Sequence, residues 1–217
     1  MAFSEPCSSA RRTVDRAPLA LVGAITNIRI MDFFIRPAGP ADAEAIAEVQ
    51  RVSWQVAYRN LLSPESLARV ATAWDSVHWR NALEQVDDRT FNLVLDSRAT
   101  GVAGFGVAGS RRRSRDPALS AFDGEIYLLY LMPGVQRRGH GAAMMRALAR
   151  VLQARGKQSV LVWALTANRP AIAFYRRLSG SIMAQTRRPF FGETVTETAL
   201  GWRDISVLAG MSRNLKE

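Results

Sequence analysis

Two glycines separated by one residue, just before a predicted amphipathic helix, form the segment with the clearest chemistry. The segment consists of Gln136, Arg137, Arg138, Gly139, His140, Gly141 and Ala142. Glycines allow the backbone to approach a ligand closely and to adopt dihedral angles that a Cβ atom disfavours. The start of the following helix presents unpaired N–H groups and the positive end of the helix dipole at the same point. This turn, with its two arginines, therefore predicts a phosphate or diphosphate site.

Two better-known phosphate-binding motifs do not fit this turn. A dinucleotide-binding turn requires a third glycine, where Met144 stands, and an acidic residue about 20 positions further on. Residues 126–192 contain no Asp or Glu. A Walker A loop requires Gly-Lys followed by Ser or Thr, which does not follow the turn. An ordinary glycine-rich connection between a strand and a helix is the simple alternative, because a lone Gly-x-Gly is common.

The net charge of +10 is concentrated in the same region. Eleven of the 29 Lys and Arg residues lie within residues 126–192, which leaves 18 basic against 19 acidic residues elsewhere. A basic excess confined to one segment predicts an anionic partner there. A polyphosphate cofactor and a nucleic acid both satisfy this charge, although the chain has no convincing helix-turn-helix, zinc-finger or RNA-recognition signature.

The composition limits the class of protein. The 217 residues, of which 48% are hydrophobic, are enough for one well-buried domain and few for two. The single cysteine, Cys7, forms neither an internal disulfide nor a zinc site, which favours a reducing compartment such as the cytoplasm. The two histidines are too few for a histidine-based metal centre. No apolar run approaches the roughly 18 residues of a membrane span.

The elements that must position the turn are a strand before it and a helix after it. Alternating or continuously apolar segments predict strands near residues 33–37, 91–95, 102–107, 125–131, 159–163, 182–186 and 195–200. Helical spacing predicts helices that begin near residues 40 and 63, the second reaching about residue 83, and helices over residues 139–155 and 169–178. The order β-α-α-β-β-β-α-β-α-β-β indicates a single α/β (α+β) domain with a mixed sheet, in which residues 91–95 and 102–107 pair as a hairpin.

The domain is predicted to cover residues 31–205. We expect residues 1–30 to form an N-terminal extension outside the fold, and residues 206–217 to form a C-terminal tail.

Two spaced motifs resemble the GNAT superfamily of acetyl-CoA-dependent N-acetyltransferases. The turn is similar to the family's Gln/Arg-x-x-Gly-x-Gly/Ala signature. Residues 168–178, Asn-Arg-Pro-Ala-Ile-Ala-Phe-Tyr-Arg-Arg-Leu, look like its Asn-x-x-Ala-x-x-Phe-Tyr-x-x-Leu segment. Residues 53–59 resemble the first-helix region of a large bacterial subgroup, and the similarity covers about residues 33–203. One departure is Ser179, where the family usually has glycine. Because of this difference, the sequence does not define where the helix ends.

The resemblance implies the chemistry of the site. Acetyl-CoA is the expected co-substrate, no metal is expected, and the acetyl group passes directly to a primary amine. The sheet is expected to splay between the fourth and fifth predicted strands. Main-chain groups of Leu129, Tyr130 and Leu131 then hold the pantetheine arm, with Asn168 as a further contact, and Tyr175 acts as general acid toward the sulfur. Without the resemblance, Tyr175 is an ordinary core residue and Asn168 an ordinary helix N-cap.

Glu125 is the candidate general base, acting through water. Strand alternation puts its side chain on the same face as Tyr127, Leu129 and Leu131. A solvated carboxylate at the start of a strand is the alternative.

The remaining candidates carry weaker signals. His140 lies at the variable position between the glycines, so its backbone matters more than its ring. Five aromatic residues are candidates for the acceptor pocket, although such side chains more often belong to a core. They are Trp54, Tyr58, Trp74, Phe190 and Phe191.

The leading hypothesis is an enzyme that acetylates a primary amine on a small molecule or a peptide. The alternatives are a nucleic-acid-binding module that uses residues 126–192, and an acetyl-CoA-binding protein without turnover. The sequence predicts no membrane partner, and it leaves open both the identity of the amine and the oligomeric state, a homodimer included.

Overall fold

The computed structural model describes residues 28–30, 32–85, 89–112 and 116–210, which form one sheet with helices on both faces. The strands are β1 (Ile28–Ile30), β2 (Phe33–Pro37), β3 (Thr90–Ser97), β4 (Gly101–Ser110), β5 (Gly124–Leu131), β6 (Val160–Leu165), β7 (Ser181–Phe190) and β8 (Glu193–Trp202). The helices are α1 (Ala43–Tyr58), α2 (Pro64–Ala73), α3 (Ser76–Glu84), α4 (His140–Ala154), α5 (Arg169–Arg177) and α6 (Ile205–Ala209). Within the described ranges, every helix is too short or too polar to span a lipid bilayer.

The sheet is mixed, with the strand order β1-β2-β3-β4-β5-β6-β8-β7. Every neighbouring pair is antiparallel except β5 and β6. These two run parallel and pair over three residues each, from Gly124 to Ile126 and from Val160 to Val162. Beyond that point β5 continues to Leu131 and β6 to Leu165 without pairing to each other. The predicted fold class and the splay between the fourth and fifth predicted strands are therefore confirmed.

Strand alternation divides the core between the two faces of the sheet. Leu93 and Leu95 pack in the cluster that contains the buried face of α4, whereas Val94 packs in the cluster that contains the buried face of α1. Successive side chains of a strand point to opposite faces, so one strand contributes to both clusters. Each fully buried leucine contributes about 1.5–3 kcal/mol, and α4 supplies two of them, Leu148 and Leu152.

The predicted helix that begins near residue 63 is two helices in the structure. Asp75 Oδ1 accepts a hydrogen bond from the main-chain N–H of His78 at 2.8 Å, which caps a new helix start. The helical periodicity on either side of Asp75 is similar, so it did not reveal the break.

The packed unit extends beyond both predicted ends. The sequence places Ile28–Ile30 in the extension, but this segment forms β1 and pairs with β2. It also places residue 206 onward in a tail, but α6 buries Ile205, Leu208 and Ala209 against the α4 cluster. The rest of the predicted extension, with Cys7, and residues 211–217 lie outside the described residues.

Candidate active site

The predicted phosphate turn lies between the end of β5 and the start of α4. Gly139 precedes the helix with φ of 84°, a left-handed conformation that glycine adopts without steric cost. Ala143 donates the first helical hydrogen bond, to the Gly139 oxygen at 3.0 Å. The main-chain N–H groups of His140, Gly141 and Ala142 precede this bond and point out of the helix start. The first turn of α4 contains no acidic residue, so the positive end of its dipole is not neutralised locally.

Side chains around the turn have three different placements. Gln136 Nε2 donates to the Leu131 main-chain oxygen at 2.9 Å and ties the turn to β5. Arg137, with φ of 63°, lines the adjacent cleft, whereas Arg138 is exposed beside it. The His140 ring is buried, with Nδ1 at 2.8 Å from the Val135 oxygen, so it faces the fold rather than the cleft.

A cleft of about 1020 Å³ begins at the turn and passes between the diverging strands. Its walls are β5, β6, the C-terminal half of α1 and the inner face of α5. The pairing of β5 with β6 ends at Ile126, so residues 127–131 lie where the two strands diverge. The carbonyl of Leu131 is already engaged, because Ser53 Oγ donates to it at 3.1 Å in addition to Gln136. Leu129 and Tyr130 lie between this junction and the end of the β5–β6 pairing.

Asn168 and Tyr175 both line the cleft, as the sequence predicts. Asn168 Oδ1 accepts from the Ala171 N–H at 3.2 Å, so this residue does cap α5. Burial raises the pKa of Tyr58, and a hydrogen bond with Asn168 across the cleft offsets part of this rise. An N-cap role and a role in the cleft are therefore compatible.

Three tyrosines, Tyr58, Tyr130 and Tyr175, meet in this cleft, and all are buried. Burial raises the pKa of Tyr175 above its usual value of 10, and the nearby Tyr58 raises it further. Burial likewise raises the pKa of Tyr130 and, less strongly, that of Tyr58. The three hydroxyls are therefore protonated at neutral pH and able to donate hydrogen bonds. The sequence predicts a main-chain role for Tyr130, and the structure adds its side chain to the cluster.

The end of α5 explains the departure from the family pattern. Ser179 takes a left-handed conformation with φ of 66°, which glycine adopts more easily. The N–H of Gly180 then donates to the Tyr175 oxygen at 3.0 Å and closes the helix. A Cβ atom on Gly180 would lie 2.8 Å from the Trp202 ring, so packing against Trp202 requires glycine at this position.

The structure does not bring Glu125 into the cleft, contrary to its prediction as the base. β5 is still paired on both sides at this residue, with Gly109 of β4 and Leu161 of β6. The carboxylate is 2% exposed and accepts hydrogen bonds from the main-chain N–H and the guanidinium of Arg112, the former at 3.0 Å. Alternation gave the correct strand face, but not the point along β5 at which the sheet opens.

Glu197, on β8, was not predicted, and it does line the cleft. It is 1% exposed and lies opposite Leu165 of β6. Arg188 Nε is 3.3 Å from Oε2, and the charge of Glu197 raises the pKa of Tyr58. The sequence contained one signal for it, because strand alternation places Glu197 on the same face as the apolar residues Val195 and Ala199.

The aromatic candidates divide into two groups. Trp54, Tyr58 and Phe190 line the cleft, with the Trp54 ring centroid 4.6 Å from Tyr58 and 5.9 Å from Phe190. Trp74 and Phe191 contact each other at 5.9 Å and lie behind this group. All five belong to the cluster around α1. Trp54, Tyr58 and Phe190 therefore both pack in this cluster and line the cleft.

Part of the basic excess stabilises the fold. Arg150 Nε donates to the Ala209 oxygen at 3.2 Å, which holds α6 on α4. The guanidinium of Arg155 lies over the ring of Phe91, and that of Arg188 lies over the ring of Trp163, both at 4.8 Å. These residues account for some of the charge that the sequence assigns to an anionic partner.

Comparison with known proteins gives consistent results. Residues 53–180, more than half of the chain, match the model of the acetyltransferase (GNAT) family. The chain is 28% identical over 176 residues to the uncharacterized N-acetyltransferase YuaI of Bacillus subtilis, covering 80% of this chain and 95% of that protein.

Two solved structures share the fold at lower identity. The PaiA N-acetyltransferase of Thermoplasma acidophilum, in complex with coenzyme A, is 18% identical with a TM-score of 0.62, over 77% of this chain and 98% of that one. YncA of Salmonella typhimurium, a putative acetyltransferase with acetyl-CoA, is 18% identical with a TM-score of 0.51, over 78% and 92%. From the family match and the fold, this chain belongs to the acetyltransferase (GNAT) family.

Proposed function

We propose that the protein transfers the acetyl group of acetyl-CoA to a primary amine by direct attack within a ternary complex. The observation that carries the proposal is the start of α4, where three main-chain N–H groups open onto a cleft between splayed strands. Two proteins of the same fold, PaiA and YncA, have coenzyme A or acetyl-CoA bound, which supports the choice of co-substrate.

The turn suits a diphosphate by its geometry and its charge. The N–H groups of His140, Gly141 and Ala142 donate to phosphate oxygens, and Arg137 and Arg138 neutralise the negative charge. Gly141 allows the close approach, because a Cβ atom there would already lie 3.3 Å from Leu131 and Phe174. A larger residue would push these side chains toward the space that the ligand requires.

The pantetheine arm would follow the edge of β5 that β6 leaves uncovered. Leu129 and Tyr130 lie on this edge, and Leu131 contributes its position at the junction with the turn. Asn168 lies on the opposite wall and offers its side-chain amide. An arm placed in this way directs the thioester toward the three tyrosines.

The reaction forms a C–N bond between the amine and the acetyl carbon and breaks the C–S bond of the thioester. The ammonium first releases one proton to solvent, because an alkyl ammonium with a pKa of about 10 is not a nucleophile. The nitrogen loses a second proton as the amide forms. The departing sulfur takes up one proton, with Tyr175 as the donor that we assign, and the second proton from the nitrogen restores the Tyr175 hydroxyl. A thiol has a pKa of about 8.5, lower than that of a buried tyrosine, so the hydrogen bond to the developing sulfur anion matters more than complete proton transfer.

Calorimetry and turnover assays test this proposal in two steps. Coenzyme A titrated into the protein should bind with one site per chain. Release of coenzyme A thiol from acetyl-CoA should then depend on added amine, measured over polyamines, amino acids, arylalkylamines, aminoglycosides and N-terminal peptides. Absence of coenzyme A binding would contradict the proposal, and binding without amine-dependent thiol release would leave a binding protein.

A further inference from the structure

Glu197 is the only acidic residue among the described residues that line the cleft. The other charged residues of the lining are Arg59, Arg137 and Arg177. A single buried carboxylate in an otherwise basic and apolar cleft determines where a cationic group can bind.

The surroundings of Glu197 are aromatic. Tyr58 is close enough for the carboxylate to raise its pKa, and the ring of Tyr58 contacts that of Trp54 at 4.6 Å. Phe190 stacks on Trp54, with 5.9 Å between the ring centroids and an interplanar angle of 13°. Aromatic faces attract cations and also bury apolar groups. This part of the cleft therefore favours a ligand that combines a positive charge with an apolar body.

We propose that Glu197 binds the ammonium group of the acceptor, and that the acceptor is a primary amine on an aromatic or apolar body without a carboxylate beside the nitrogen. This inference rests on the proposed acetyl transfer, since it identifies the second substrate of the same cleft. A carboxylate next to the amine would face the charge of Glu197 at short range in a buried setting, which is unfavourable.

Arg188 fixes the position of this carboxylate. Its guanidinium lies over the ring of Trp163 at 4.8 Å, and its Nε is 3.3 Å from Glu197 Oε2. A purely structural ion pair is the competing role for Glu197. The pair of Glu125 with Arg112 shows that role elsewhere in the sheet, because the Glu125 carboxylate is also buried and bound to an arginine but does not line the cleft. The two carboxylates therefore form a matched pair for an experiment.

The test is calorimetric titration of 2-phenylethylammonium into the protein saturated with coenzyme A, which gives a complex that does not react. We expect binding by the wild type, and a Kd at least about tenfold higher for Glu197→Gln. Glu125→Gln, checked for folding by its melting temperature, should keep the Kd within about twofold. Equal Kd values for wild type and Glu197→Gln would overturn the inference.

Two further ligands decide the question on the wild type alone, should Glu197→Gln fail to fold. Phenylalanine adds the carboxylate and 2-phenylethanol removes the charge, so each should bind at least about tenfold more weakly than 2-phenylethylammonium. Binding of either as tight as that of the amine would contradict the inference. Binding of coenzyme A without any binding of the amine would overturn this inference and leave the proposed function intact. Absence of coenzyme A binding would reject the proposed function itself.

Discussion

Gln136 donates a hydrogen bond from Nε2 to the main-chain oxygen of Leu131 at 2.9 Å. The residue that begins the phosphate turn is thereby fastened to the last residue of β5. Ser53 Oγ, from α1, donates to the same oxygen at 3.1 Å. One carbonyl thus joins the turn, the splayed strand and the helix that lines the acceptor end of the cleft. The relative positions of the proposed diphosphate site and the proposed thioester site depend on this junction.

Gln136→Ala removes one donor from the junction and leaves the α4 amides in place. We expect coenzyme A affinity to fall by about three- to tenfold, since a net hydrogen bond contributes about 0.5–1.5 kcal/mol. Calorimetry measures the loss. Gln153→Ala, on the distant part of α4, is the control and should bind as the wild type does; equal losses in both variants would indicate general destabilisation of the helix.

Tyr175→Phe separates catalysis from packing at the proposed donor. The ring and its contact with Trp202 are retained, at 6.5 Å between centroids, and only the hydroxyl is lost. We expect kcat to fall by about 10²-fold or more, the usual range for loss of a donor to a developing anion or of a general acid. Steady-state kinetics with acetyl-CoA measures kcat, and calorimetry with coenzyme A should show little change. Parallel losses in kcat and affinity would assign Tyr175 a packing role.

Local patterns predicted the strand, the turn and the helix around Gly139 well, because all three lie within residues 125–155. An apolar strand, two glycines and an amphipathic helix are all local, and the structure has them in the predicted order. The splay of β5 from β6 came from the resemblance, and the register in the structure confirms it.

The positions of the Glu125 and Glu197 carboxylates relative to the cleft could not be predicted from the sequence. Glu125 and Glu197 both lie on strands and both alternate with apolar residues. What distinguishes them is where the sheet opens, since Glu125 lies where β5 is paired on both sides, whereas Glu197 lies opposite Leu165, beyond the part of β6 that pairs with β5. The sequence of one strand does not specify which strand it pairs with or in which register, so the relation of the two carboxylates to the cleft required the structure.

Gly139→Ala tests whether the left-handed conformation before α4 is required. A Cβ atom at Gly139 has nothing within 4 Å, so the only penalty is backbone strain at φ of 84°. We expect the free energy of unfolding to fall by about 1–2 kcal/mol, the cost of this conformation for a residue with a Cβ atom. Urea denaturation measures it.

Gly134→Ala is the matched control for Gly139→Ala. This glycine lies just before the same turn, also has nothing within 4 Å of its Cβ position, and lacks a positive φ. Its substitution should change the free energy of unfolding by less than about 0.5 kcal/mol. A similar loss in both variants would mean that the left-handed conformation at Gly139 is not the cause of the lost stability.

The tyrosine cluster predicts how stability changes at high pH. The pKa values of Tyr58, Tyr130 and Tyr175 in the folded protein lie above the usual value of 10, chiefly through burial. Above pH 10 the unfolded chain therefore binds fewer protons at these positions than the folded protein, and the free energy of unfolding falls as the pH rises. Below pH 10 the hydroxyls are protonated in both states and their contribution is constant. Each tyrosine lowers the free energy of unfolding by at most about 1.4 kcal/mol per pH unit.

Urea denaturation from about pH 8 to about pH 11 measures this slope, with the reference pKa of tyrosine near 10 as the expected onset. Above about pH 10, the free energy of unfolding should fall less steeply with pH in Tyr175→Phe than in the wild type. The difference in slope is at most the contribution of one tyrosine, because a phenylalanine has no proton to lose. Tyr127→Phe is the comparison outside the three-tyrosine cluster, since the Tyr127 hydroxyl donates instead to the Ser110 oxygen on β4. An unchanged slope in Tyr175→Phe would show that solvent reaches the Tyr175 hydroxyl in the folded protein. Burial in the cleft would then not keep this hydroxyl protonated.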